Sequence, residues 1–185
     1  MALEGFKRIQ DLREEEAELG DKLIALRIND RQRILDELKK EFHVFLSGEG
    51  FSVSTHGKQI RASYGDVVLT LDVPSASAAF LGAISVLKLA DSRQPRQKWV
   101  LSVDPGNVRA PRPTVAVQML SGDEVERLQN RVDELKQGLS NFQPWEYSIR
   151  YFRENNSAGN AAAGKGAQVV TTLTEALTGI LEGKA

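Results

Sequence analysis

Ser85 and Lys88 stand at the spacing of the Ser-x-x-Lys pair of serine acyl-enzymes, in which the serine opens a helix and faces a cleft. Here Ser85 lies deep in an apolar segment, and neither an SDN nor a KTG triplet follows. The pair reads instead as a polar residue on the less buried side of its element. Residues 159–165, Gly-Asn-Ala-Ala-Ala-Gly-Lys, carry the glycine and lysine spacing of a phosphate-binding loop. That loop needs Ser or Thr next for magnesium and a buried strand before it. The chain has Gly166 and polar residues in those places, so a linker containing a lysine accounts for the stretch. His43 and His56 are the two histidines, too few for a multi-histidine metal site. No spacing ties either to Asp66 or Asp72 as a serine-histidine-carboxylate site would require. Asp66, Asp72 and Asp104 lack a strand-borne Glu-x-Lys companion, and Glu37-Leu38-Lys39, which has that spacing, falls in a helical run. The absence of cysteine excludes disulfides, thiolate metal sites and cysteine nucleophiles. The expectation is a chain that is not an enzyme, with no catalytic residue, no metal and no cofactor.

Binding chemistry is better represented. Arg93, Arg96, Lys98, Arg109 and Arg112 flank one strand and are opposed only by Asp104, with Trp99 close by. Arginine with an aromatic holds phosphate and stacks bases. Its planar fork equally suits carboxylates at protein interfaces. The formal net charge of −1 supplies no general field for nucleic acid or an anionic membrane. A protein partner therefore ranks ahead of nucleic acid.

Two helical stretches carry the clearest periodicity. In residues 121–139, Val125, Leu128, Val132, Leu135 and Leu139 alternate spacings of three and four, with Ser121 and Glu124 set as a capping box. In residues 3–46, Ile9, Leu12, Leu19, Leu23 and Leu26 follow a heptad with Glu16 in one seam position. Leu35, Leu38, Phe42 and Phe45 repeat the spacing out of phase. The slip falls between Arg27 and Ile34, so either one helix stutters there or Asp30 caps a second one. Leu12, Leu19, Leu23 and Leu26 are the candidate intermolecular seam; the stripe from Val125 to Leu135 is expected to pack internally, on the sheet or on the first helix.

After Gly48 and Gly50 the period changes to two. Residues 51–55, 60–64 and 67–73 alternate between glycine turns and predict a β-meander. Residues 75–90 carry the stripe Ala76, Ala79, Phe80, Ala83, Ile84 and Leu87 and predict a helix, with a strand at 84–89 as the other reading. Residues 99–103, 114–120 and 145–151 predict further strands. Residues 155–166 read as a flexible Gly/Ala/Asn linker. Thr172 and Glu175 then cap a short helix with Leu173, Leu177, Ile180 and Leu181 on its apolar face.

These elements predict an α+β fold: an antiparallel meander or sheet of about five to six strands packed with helices, a long coiled-coil-like N-terminal helix and a short C-terminal tail helix. The expected divisions are an N-terminal helical region over 1–48, an α+β core over 49–153 that includes helix 121–140, a flexible linker over 154–170 and an amphipathic helix over 171–185. The order of elements over residues 35–139 resembles that of the small dimeric chaperones of type III secretion, which run helix, three strands, helix, two strands, helix. That resemblance implies a fold in which copies or partners associate. Hydrophobic residues at 41% and charged residues at 26% suit a globular chain. No stretch approaches the ~20 apolar residues of a membrane span, and the expected location is cytoplasmic. The functional expectation is a non-catalytic protein-protein interaction module, a subunit or adaptor of a larger assembly with a chaperone-like or scaffold role, self-associating or binding a protein partner. The alternative is a nucleic-acid-binding accessory subunit that uses the Arg93–Arg112 loops.

Overall fold

The computed structural model describes residues 2–78, 83–95, 97–106, 124–154 and 167–182. They divide into two compact units, Met1–Asp30 with Pro111–Pro144 and Arg31–Ala110 with Trp145–Ala185. This division differs from the linear one expected from sequence: the first helix contributes to both units, and helix 121–140 stands with the first thirty residues instead of with the sheet.

Helix α1 (Ala2–Gly48) is unbroken. The slip between Arg27 and Ile34 is therefore neither a break nor a cap, and Asp30 lies within the helix. Two rows of residues explain it. The first, Ile9, Leu12, Glu16, Leu19, Leu23 and Leu26, ends at the slip. The second runs one residue later, about 100° round the helix: Phe6, Gln10, Arg13, Ala17, Gly20, Ile24, Ile28, Arg31, Leu35, Leu38, Phe42 and Leu46. In the first unit Leu12 is buried; in the second, Leu35, Leu38, Phe42 and Leu46 are buried, with Ile34 beside them. Gly50, at φ 85°, turns the chain out of α1, and Phe51 N–H donates to the Leu46 carbonyl at 2.9 Å.

The first unit pairs α1 with α2 (Glu124–Ser140). The second is built on seven strands: β1 (Ser52–His56), β2 (Gln59–Tyr64), β3 (Val67–Asp72), β4 (Ser85–Asp91), β5 (Lys98–Pro105), β6 (Tyr147–Arg153) and β7 (Gln168–Val170). They lie in sequence order, each antiparallel to the next. The α+β expectation holds, with seven strands in place of five or six. Gly57 and Gly65 take positive φ in the tight turns that join β1 to β2 and β2 to β3, where a side chain would be strained.

The helix expected over 75–90 is the main correction. Residues 85–91 form β4, paired on both sides, and burial alternates from Ser85 through Leu87 and Leu89 to Asp91. The apolar residues there satisfy both periods, and pairing between β3 and β5 decides for the strand. The helix–strand order behind the chaperone resemblance goes with it. A second correction is β7, which occupies the end of the expected 154–170 linker. The predicted strand at 114–120, the stretch 155–166 and the Ser121 cap lie outside the described residues.

Alternation sorts the sheet into two faces. Ile60, Ala62, Leu69, Leu71, Leu87, Leu89, Trp99, Leu101, Val103, Ile149 and Tyr151 share one face by register and are buried. With the buried row of α1 beyond Arg31, they form the core of this unit. Helix α3 (Leu173–Leu181) adds Leu173, Ala176, Leu177 and Ile180. Its Thr172–Glu175 capping box forms as the sequence predicts. A third bond supports the same helix start: Glu41 of α1 accepts from the Thr174 amide at 2.9 Å.

Two glycines separate packing from propensity. A Cβ on Gly179 would clash with the hydroxyl of buried Tyr151, whereas one on Gly20 of α1 meets nothing within 4 Å among the described residues. Gly179→Ala is expected to destabilise the second unit by about 1–3 kcal/mol through overpacking. Gly20→Ala is expected to stabilise α1 by about 0.5–1 kcal/mol. Thermal unfolding followed by circular dichroism checks both signs.

Candidate functional site

The groups with reactive potential are dispersed. On β4, Ser85 and Lys88 are three apart, so the strand places them on opposite faces. Ser85 is fully buried and its hydroxyl has no partner among the described residues, while Lys88 is exposed and bonded to Glu154 at 2.8 Å. A Ser–Lys couple is thus not assembled. His43 is exposed on α1 and His56 is exposed at the end of β1. The register sets His56 opposite Gln59 and Gln59 opposite Asp72, leaving His56 and Asp72 two strands apart, about 10 Å. Asp66 lies in the turn at the other end of β2. Asp104 accepts from Ser102 at 2.7 Å and from Arg150 at 2.8 Å. Among the described residues, no group of three or more His, Asp and Glu is placed to hold a metal, and no helix is long and apolar enough to cross a membrane. The 159–165 stretch lies outside them.

The basic patch is seen in part. Arg93 closes its fork on Asp91, with contacts of 3.0 Å and 2.6 Å, and donates its backbone amide to the same carboxylate at 2.9 Å. Asp91 is buried behind it. Burial pushes the Asp91 carboxyl up; the Arg93 guanidinium and amide outweigh that and hold it below the ordinary carboxylate range. Lys98 is exposed at the start of β5. Arg96, Arg109 and Arg112 lie outside the described residues. Trp99 instead takes an arginine from outside the patch, Arg153, at 5.0 Å from its ring. Sequence reasoning missed it because the pair meets only through the β5–β6 register.

The candidate seam residues sit in the first unit. Leu12 is buried with Leu128 and Val132, and Ile9, Leu19 and Val125 pack against them. Leu23 lies over Gly138, and Arg27 stacks on Phe142 at 5.0 Å. Leu26 is 37% exposed. The contacts advance together along both helices, from Arg13–Glu124 to Arg27–Phe142, so α1 and α2 run parallel. Glu16, the charged residue in the heptad, pairs with Arg131 at 3.0 Å, and Lys136 reaches Glu15 at 2.7 Å. The stripe on α2 thus packs on the first helix, one of the two expected places.

The second row of α1 is the surface that the heptad does not reveal. Phe6 is 79% and Ile24 59% exposed. Beside that row, Ala17, Gly20 and Ile24 of α1 line a groove of about 640 Å³ with Leu135 of α2. Arg13, Glu16, Asp21, Arg131 and Glu134 stand along it. No known family model, curated protein or solved structure matches this chain.

Two outcomes test these assignments. Leu12→Asp is expected to unpair α1 from α2, a cost of about 2–5 kcal/mol or more by analogy with truncating a buried leucine, whereas Leu26→Asp leaves the helicity unchanged; circular dichroism distinguishes them. For Asp91, the folded pKa lies below the unfolded value of about 3.9. Its contribution is therefore full above that pH and is lost as pH falls through the folded pKa. Asp91→Asn is expected to cost about 1.5 kcal/mol at neutral pH, a difference that disappears in acid in urea titrations run at each pH.

Proposed function

We propose that this chain is a non-catalytic protein-protein interaction module, a subunit or adaptor that engages its partner through an apolar helical stripe. One observation carries the reading: in the first unit α2 packs on the Leu12 row of α1, and the described residues leave the apolar members of the second row, Phe6, Ala17 and Ile24, uncovered. Phe6 and Ile24 remain exposed on an otherwise charged helix. Large side chains on a rigid helix are the usual material of a helix-in-groove contact. This reading moves the expected seam from Leu12, Leu19, Leu23 and Leu26, of which the first three pack against α2, to Phe6, Ala17 and Ile24. The dispersed titratable groups support a non-catalytic role. Nucleic-acid binding through the Arg93–Arg112 loops has less support, because the Arg93 fork is committed to Asp91.

The test is affinity capture from the native source on the full chain, with self-association read in parallel by light scattering. A partner, or a second copy, held by the wild type and released by Phe6→Glu with Ile24→Asp is expected, with circular dichroism unchanged. Equal retention by both proteins, or an oligomer indifferent to both substitutions, contradicts the reading.

A further inference from the structure

We propose that the groove beside the second row of α1 takes a basic amphipathic helix from another protein. The inference rests on the interaction reading and specifies its partner. Shape comes first. Ala17 and Gly20 are small, a Cβ on Gly20 would meet nothing within 4 Å, and Ile24 and Leu135 flank the open space. Small residues between larger ones at spacings of three and four leave a channel for the ridge of another helix. The same row continues along α1 through Leu35, Leu38 and Phe42, all fully or almost fully buried in the second unit. The row packs in the second unit, and the described residues leave it uncovered in the first.

Charge selects the occupant. The groove's two cations are already committed: Arg13 bonds Glu124 at 2.6 Å and Arg131 bonds Glu16 at 3.0 Å. Asp21 and Glu134 also line it, and among the described residues no side-chain hydrogen bond or ion pair engages either carboxylate. Among residues 2–30 and 124–144, twelve Asp and Glu stand against eight Lys and Arg. A second copy would bring this acidic surface against itself. A helix with a leucine or isoleucine stripe and flanking lysines or arginines fits both the channel and the two free carboxylates.

The experiment uses the full chain and two synthetic helical peptides with the same leucine stripe, one flanked by lysine and the other by glutamate. Fluorescence anisotropy is expected to show binding of the lysine peptide only, weakened by added salt and by about tenfold or more with Ile24→Asp, a loss of at least one hot-spot side chain. Asp21→Lys with Glu134→Lys is expected to reverse the preference toward the glutamate peptide, while circular dichroism stays unchanged. Equal binding of both peptides, or binding of neither, overturns the proposal. A dimer in light scattering that Ile24→Asp dissociates also overturns it, because a second copy then fills the groove, yet leaves the interaction reading standing. A monomer that binds neither peptide and captures no protein sinks both.

Discussion

One helix carrying two apolar rows, one residue out of phase, is the constraint on which the rest of the molecule depends. An α-helix buries a row of side chains only where a partner meets it, and its backbone cannot rotate that row without a break. α1 has no break. It meets α2 along the row of Leu12 and the sheet unit along the row of Leu38 and Phe42, because both rows are written into its sequence. The same economy leaves the front part of the second row without a partner among the described residues. The exposed Phe6 and Ile24 follow from how the helix is used.

The second unit shows how strongly sheet pairing disciplines the chain. In this meander every strand lies beside its neighbour in sequence; tight turns set the register from β1 to β3, whereas β5 and β6 pair across the stretch that carries α2, where matching buried faces set it. The buried face is continuous from Ile60 to Tyr151, and α3 lies against its β6–β7 end closely enough that Gly179 leaves no room for a methyl group beside Tyr151. Glu41 joins α1 to this arrangement by accepting from the first turn of α3. On the opposite face, the ion pair Arg150–Asp104 ties β6 to β5, and Lys88–Glu154 reaches from β4 past β5 to the end of β6.

Much of this was legible in the residues. Period-two runs broken by glycine marked β1, β2 and β3, and Thr172 with Glu175 marked the start of α3. Residues 84–91 were not, because Ile84, Leu87 and the residues around them satisfy both a helical and a strand pattern, and only pairing with β3 and β5 chooses between them. β7 has three residues, too few for a period to show. The second row of α1 was hidden for another reason. Its members in the first unit include Gln10, Arg13 and Gly20, which interrupt the apolar pattern, so the leucine periodicity marks the Leu12 row and shows only a slip where the second row takes over. The commitment of Arg93 to Asp91 needs only a two-residue spacing, yet the burial that makes it matter appears only in the folded sheet.

The absence of cysteine makes the two-row account directly measurable, since each single cysteine introduced along α1 reports on its own site alone. Thiol labelling rates are the most direct measurement. The account predicts fast labelling of Phe6→Cys, Ala17→Cys and Ile24→Cys and slow labelling of Leu12→Cys and Leu19→Cys. Farther along the helix, Leu35→Cys and Phe42→Cys, in the same row as the fast positions, are predicted to be slow. Equal rates for Ile24→Cys and Leu12→Cys, or fast labelling at Leu35→Cys, would contradict it.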